Sequence, residues 1–327
     1  MKKPHLLPQL VLKYENKIHI QGQVIWMKPK HLKLKKSANP LYNIKLVYRY
    51  FSQKPTKNKQ ISITVDEVCK VIKIDENGFF HTDFDIRESK KINQVNIDYK
   101  LDGGTEVIVP EVSSSFIYNL DNFTDEAVIS DIDDTILVSH STRIRKRIKH
   151  LFLKNPYSRK PVSDMADLYN FLTQGKSMIF YISNSQMNLF LMISTFIKKH
   201  MFPEGPLLLH EYKVVKQFFK KKDKDKDHDF HKFRSIMFVM HLMKNTRFVL
   251  VGDNSQHDPE IYQEIARKYP KRVKAVLIRT YSQKSKREDE LEKIGQDLKS
   301  RNIPLITGED GSELKEKYKE HFSTVNV

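Results

Sequence analysis

A chain of 327 residues with 39% hydrophobic and 30% charged side chains has a globular composition, which excludes a disordered chain and leaves room for two domains. Its single cysteine, Cys69, excludes a disulfide framework and a cysteine-based metal site. The net charge of +17 is uneven: residues 1–70 hold fifteen Lys or Arg against three acids, and the block from Arg143 to Lys160 holds eight with no acid. Either a general lysine bias or a polyanionic partner, phospholipid surface or nucleic acid, accounts for such a field.

In chain order, MKKPHLLPQLVLKYENK is broken by Pro4, Pro8 and Lys13, too interrupted for a signal peptide. No later stretch approaches the ~18 apolar residues of a membrane span, so the expectation is a soluble, cytoplasmic protein. Short alternating runs follow: KIHIQGQVIW (Ile18 to Trp26), YNIKLVYRYF (Tyr42 to Phe51) and QISITV (Gln60 to Val65). Asn77-Gly78 then separates two alternating runs as a hairpin signal, and QVNIDYKL and TEVIVPEV add two more strands. This spacing predicts an antiparallel, immunoglobulin-like β-sandwich over residues 1–120.

From Asp121 the texture changes. Apolar strands AVIS (127–130), MIFYIS (178–183), PLLL (206–209), RFVLV (247–251) and KAVLIR (274–279) alternate with stretches of helical spacing. That alternation predicts a Rossmann-like α/β domain over residues 121–327, with a parallel sheet whose ligands sit at the carboxyl ends of its strands. The mixed-charge patch KKKDKDKDHD, residues 220–229, reads as an exposed loop.

Four of those strand ends carry chemistry. The run AVIS enters Asp131, Asp133, Asp134 and Thr135; two carboxylates so placed need a cation, and a hard divalent ion such as magnesium suits them, although a helix N-cap cluster has the same residue types. Gly252-Asp253, with Asp258 five residues on, brings two more carboxylates, of which Asp258-Pro259 is also a good helix start. Ser183-Asn184-Ser185 offers a hydroxyl and backbone amides to a phosphate, or an ordinary cap. Lys232 enters a helix after the charged patch, a place where a lone lysine is usually a surface residue.

Taken in this order the four resemble the haloacid dehalogenase superfamily. SDIDDTI, SHSTRIRKRIKHLFLKNPYSRKP, YISNSQMNLF, FPEGPLLL and GDNSQHDPEIYQEIARKYPKRVKAVLIR more specifically resemble the actin-patch phosphatidate phosphatase family, in its bacterial form, from about Phe123 to Thr280. The resemblance implies a magnesium-dependent phosphatase in which Asp131 attacks phosphorus and Asp133 is the general acid and base. It implies metal ligands in Asp131, the carbonyl of Asp133, Asp253 and Asp258. Ser183, Asn184 and Lys232 would then hold the phosphoryl group, and Thr135 would fix the turn. Lys213 or Lys216 are alternatives to Lys232 if the intervening loop folds back.

The short basic segment 139–161 stands where that superfamily puts its substrate-selecting cap. Its Ile144, Ile148, Leu151, Phe152 and Leu153 at helical spacing among Arg143, Arg145, Arg147 and Lys149 suit either a helix on an anionic membrane or one packed on its own domain. A minimal cap leaves the site open, which favours a bulky or membrane-presented substrate over a small metabolite; with the resemblance, this implies phosphatidate or a related phospholipid headgroup, with peripheral membrane contact. A phosphatase for nucleic-acid end phosphates, and a binding protein that has lost catalysis, are the competing readings.

Overall fold

A computed structural model of the chain describes residues 1–29, 32, 39–51, 54–57, 59–87, 95–111, 117–123, 125–137, 159–210, 224–280 and 285–324. The cap segment's Arg143, Arg145, Arg147 and Lys149, and the alternative lysines Lys213 and Lys216, lie outside them. Two compact units divide the chain. The first is chiefly Met1–Asn122 with Gln186–Ile193, and the second comprises Phe123–Ser185, Ser194–His210 and Lys221–Val327.

The first unit opens with β1 (Lys3–Tyr14) and β2 (Lys17–Met27), paired antiparallel through a turn in which Glu15 takes a positive φ of 50°. Pro4 and Pro8 do not break β1. The register shifts between Leu6 and Gln9, so Pro8 falls at an irregularity where no ladder N–H is required. After α1 (Pro40–Phe51) come β3 (Lys54–Pro55), β4 (Gln60–Val65), β5 (Val68–Lys73), β6 (Phe79–Asp85), β7 (Ile97–Leu101), β8 (Thr105–Glu106) and β9 (Ile117–Asn119). One sheet runs β3-β2-β1-β9 with β6 also on β2, and the other runs β5-β4-β7-β8. Leu6, Val11, Ile18 and Ile20 of the first sheet share one buried cluster with Ile61, Ile63, Tyr99 and Leu101 of the second. Ile18 and Ile20 of β2, and Ile61 and Ile63 of β4, are spaced by two, as a strand face turned to a shared core requires.

Three expectations fail in this unit. Tyr42–Phe51 is helical: Asn39 Oδ1 accepts from the amides of Leu41 (2.9 Å) and Tyr42 (3.4 Å), and Pro40 begins the helix. Buried Asn43 and Leu46, three residues apart, then face inward. The Asn77-Gly78 turn makes no hairpin, because β5 pairs with β4 and β6 with β2. Gly78 (φ 87°) accepts from Val24 N at 2.8 Å, and a Cβ there would lie 2.8 Å from Val24 O, so the turn is fitted to β2. The arrangement is also not wholly antiparallel, since β1 and β9 run parallel.

The second unit has the alternating α/β pattern. A six-stranded sheet has the order β12-β11-β10-β13-β14-β15, formed by β10 (Glu126–Ser130), β11 (Met178–Gln186), β12 (Leu207–His210), β13 (Arg247–Asp253), β14 (Val273–Arg279) and β15 (Leu305–Gly308). The pairs β10·β11, β10·β13, β13·β14 and β14·β15 are all parallel. The helices are α2 (Met165–Thr173), α3 (Phe190–Lys199), α4 (Lys224–Leu242), α5 (Asp258–Lys268), α6 (Ser285–Lys299) and α7 (Gly311–Thr324). Residues 224–229 of the mixed-charge patch form the first turns of α4 and not a loop, because they continue a helix whose later residues Ile236, Val239 and Met240 are buried in the core.

The chain travels outward from β10 through β11 to β12, then returns to β13 on the other side of β10. That reversal leaves a crevice beyond the carboxyl ends of the central strands. Among the described residues no helix is long and apolar enough to cross a membrane.

Candidate active site

Residues Ala127, Val128 and Ile129 are buried on both faces of the sheet, as a central parallel strand requires. The ladder with β13 continues past the strand end: Asp131 N donates to Val251 O at 2.9 Å. Beyond it the backbone coils tightly. Asp134 adopts φ 64° and donates its N–H to Leu137 O at 3.0 Å, while Ile136 N reaches back to Ile132 O at 3.1 Å. Arg279, at the end of β14, clamps this loop from outside, with Nη1 donating to Asp134 O at 2.7 Å and Nε to Glu309 O at 2.8 Å.

Asp131, Asp253 and Asp258 converge at the centre of this edge, with one carboxylate oxygen of each within 4.8 Å of the others. All three are buried. The Thr135 hydroxyl is 3.1 Å from Asp131 Oδ2 and 3.3 Å from Asp253 Oδ2, close enough to donate to either. Lys232 Nζ donates to Asp131 Oδ1 at 2.8 Å and also to Asp258 Oδ1. Asp253 Oδ1 accepts from Ser255 N at 2.6 Å, and Asp258 Oδ2 from Asp253 N at 3.2 Å.

Tyrosines support the floor. Tyr262 donates to Val251 O at 2.9 Å; the Tyr169 hydroxyl lies 2.5 Å from Ser130 Oγ, which donates to Asp131 O at 2.6 Å.

Gly252 makes the convergence of Asp253 and Asp258 sterically possible. A Cβ at residue 252 would lie 2.5 Å from Asp258 Oδ2 and 2.7 Å from Asp258 Cβ, too close for a carboxylate held at the base of a helix. Gly252→Ala is therefore expected to lower the unfolding free energy by ~1–3 kcal/mol, as overpacking does. A denaturant midpoint equal to that of the wild type would show that Asp258 can retreat without cost.

Charge is concentrated here. Burial drives the Asp131 carboxyl well above the ordinary range; Lys232 opposes this, and Asp258, Asp253 and Asp133 add to it. Burial, followed by repulsion from Asp258, raises Asp253 to about 7. For Lys232 burial acts downward, but the two aspartates outweigh it and hold the ammonium firmly protonated. Three buried carboxylates around one lysine leave uncompensated negative charge, and a hard divalent cation fits such an all-oxygen set.

The remaining expected residues form a second group. The Asp133 side chain does not join the carboxylate cluster. Its Oδ2 accepts from Ser183 Oγ at 2.9 Å and from Ser185 Oγ at 2.8 Å, while Ser183 Oγ also accepts from Ser185 N at 2.8 Å. The Asn184 side-chain oxygen is buried with no hydrogen-bond partner among the described residues. Ser185 lay in the Ser183-Asn184-Ser185 motif but had no role of its own there, and Arg279 had none at all. Ser185 had a signal, since residues 183 and 185 point to the same side of an extended β11.

A Rossmann-like α/β domain whose central strand ends present three buried carboxylates, a buried lysine and a serine-held aspartate is the class defined by this fold and site. Residues 126–280 match the model of the "Phosphatidate phosphatase APP1, catalytic domain". The chain is 28% identical over 202 residues to the phosphatidate phosphatase APP1 of Saccharomyces cerevisiae, covering 59% of this chain and 31% of that protein. It is 24% identical over 154 residues to the uncharacterized protein C29B5.04c of Schizosaccharomyces pombe, covering 47% of this chain and 25% of that one. The chain thus spans about a third or less of the length of these curated relatives. Among solved structures, a class C acid phosphatase from Bacillus anthracis with tungstate bound aligns over 45% of this chain and 62% of that chain. Its identity is 16% and its TM-score 0.27, a likeness too slight to argue from.

Proposed function

We propose that this chain is a phosphomonoester hydrolase of the haloacid dehalogenase type, acting on phosphatidate or a related phospholipid headgroup through an aspartyl-phosphate. One observation supports this above the others: Asp131 ends the central strand with its carboxylate held by Thr135 and Lys232, facing Asp253 and Asp258. The phospholipid class is drawn from the family, whose yeast member is named a phosphatidate phosphatase.

In this reading an Asp131 oxygen attacks phosphorus. A bond from Asp131 to phosphorus forms as the bond from phosphorus to the leaving alkoxide breaks. Asp133 gives its proton to that alkoxide, then takes one from the water that cleaves the acyl phosphate and frees Asp131. The Ser183 and Ser185 hydroxyls keep the Asp133 carboxyl aimed at the leaving group. Ser183, Asn184 and Lys232 hold the phosphoryl oxygens, where charge gathers in the transition state. Asp131, Asp253, Asp258 and the carbonyl of Asp133 would hold magnesium, which when bound offsets the charge of the nucleophile and of the incoming phosphoryl group. The first unit serves as an accessory module, and the basic segment 139–161 as a small cap that brings the site to an anionic membrane surface.

The test is phosphate release from phosphatidate in mixed micelles, with magnesium and with chelator. Metal-dependent release is the expected result. Cleavage of a soluble aryl phosphate without cleavage of phosphatidate would keep the chemistry and discard the lipid. Phosphorylated oligonucleotide ends would then be the next substrate to assay.

A further inference from the structure

The insert whose ends meet in an isolated β-bridge between Leu137 and Pro161 is one basic stretch of the chain, and the first unit carries another. From Met27 to Gln60 the sequence holds nine lysines and Arg49, with no aspartate or glutamate. Helix α1 (Pro40–Phe51) lies in the middle of that stretch. One side of α1 is fixed in the fold. Asn43 and Leu46 are each 2% exposed, and the helix packs against the 3-10 turn Met187–Leu189, whose Met187 and Leu189 are buried.

The other side is apolar where water would favour polar side chains. Leu41 is 74% exposed and Tyr48 67%, and with the exposed Lys45 they stand at i, i+4 and i+7, a single stripe opposite Asn43 and Leu46. A lone exposed leucine is ordinary. Two large apolar side chains astride a lysine, in a stretch without one acid, are the composition of a helix that lies in an anionic lipid interface. Leucine enters the acyl boundary there, tyrosine keeps its hydroxyl at headgroup level, and lysine lays its stem along the apolar side with its ammonium among the headgroups. Lys28, Lys54, Lys57 and Lys59, which flank the helix in sequence, are exposed too, and neither they nor Lys45 make an ion pair among the described residues. Their charge is available to an anionic surface. Nucleic acid fits this stripe less well, because stacking on bases needs aromatic faces and an aliphatic leucine has none.

We propose that the outward stripe of α1, formed by Leu41, Lys45 and Tyr48, docks the first unit on the anionic surface of a lipid bilayer. The inference goes beyond the phosphatase reading and is independent of it, since such docking needs no phosphomonoester.

The test is flotation of the full chain with vesicles of phosphatidylcholine, alone or mixed with phosphatidylserine, whose phosphodiester headgroup is no substrate for the proposed reaction. Wild type should float with the mixed vesicles and not with phosphatidylcholine alone. The double substitution Leu41→Ser with Tyr48→Ser should weaken that binding at least ~10-fold, because the apolar contact is lost. Its thermal melt and its hydrolysis of a soluble aryl phosphate should match wild type. Leu41→Trp reads the contact directly: beyond the signal of Trp26, its emission should move to the blue with mixed vesicles and stay unmoved with single-stranded oligonucleotide. A folded double variant that floats like wild type, or unmoved emission from Leu41→Trp with mixed vesicles, overturns the proposal. A blue shift with oligonucleotide alone overturns it in favour of nucleic acid. A wild-type dimer that the double variant breaks, with neither protein floating, overturns it in favour of a second copy of the chain. Aryl phosphate hydrolysis without flotation discards the docking and leaves the hydrolase reading intact, and flotation without hydrolysis does the reverse.

Discussion

Asp131→Asn should lose phosphomonoester hydrolysis by roughly 10⁴-fold or more, since an amide cannot form the acyl phosphate. The protein should nevertheless fold. The amide oxygen can still accept from Thr135 Oγ1 or Lys232 Nζ, and Asp258 still balances the lysine. Burial already disfavours a charge at position 131, so a neutral side chain does not damage the core and the melting temperature should hold or rise. Aryl phosphate turnover measured beside thermal melts separates the two effects. Turnover near the wild-type rate in a folded variant would remove Asp131 as nucleophile and sink the proposed chemistry.

Asp253→Asn should stabilise the metal-free protein while abolishing metal-dependent turnover. Asp253 is raised in the fold to about 7, whereas an unfolded aspartate titrates near ~3.9. Between those values the folded chain keeps a proton that the unfolded chain has released, so stability falls as pH rises across the window and levels off above about 7. At about pH 8 the wild type has lost up to ~4 kcal/mol by this route, an upper bound because neighbouring carboxylates share the charge. Asn at 253 removes the loss, retains an acceptor for Ser255 N, and should gain ~2–4 kcal/mol in chelator at about pH 8. Added magnesium should raise the wild-type melting temperature and leave the variant's unmoved. A variant less stable than wild type in chelator at that pH would show that Asp253 carries no folding penalty.

Much of the second unit was readable because its strands are buried on both faces. An unbroken apolar run such as AVIS or RFVLV ending in carboxylates has few physical explanations, and both ends lie in the carboxylate cluster. What was not readable depends on partners far away in sequence. Tyr42–Phe51 alternates well enough for a strand, and its helix follows from the Asn39 cap and the inward pair Asn43 and Leu46. The Asn77-Gly78 turn looks local, yet its Gly78 is fitted to Val24. The α6, β15 and α7 elements drew no expectation, since DELEKIGQDLK is mostly polar and LITG spans only four residues. Arg279 acts through the two carbonyls it holds, and that role shows only in three dimensions.

The bridge between Leu137 and Pro161 bears on how such proteins diversify. It fastens the two ends of the 138–160 insert side by side, next to the loop that carries Asp133. The entropy of closing a longer or shorter excursion between two fixed posts changes only slowly with its length. The insert can therefore be lengthened, trimmed or exchanged over generations while the strand ends keep their geometry. With the insert serving as the proposed cap, selection on what the protein accepts and selection on how it reacts would act on separate stretches of the gene.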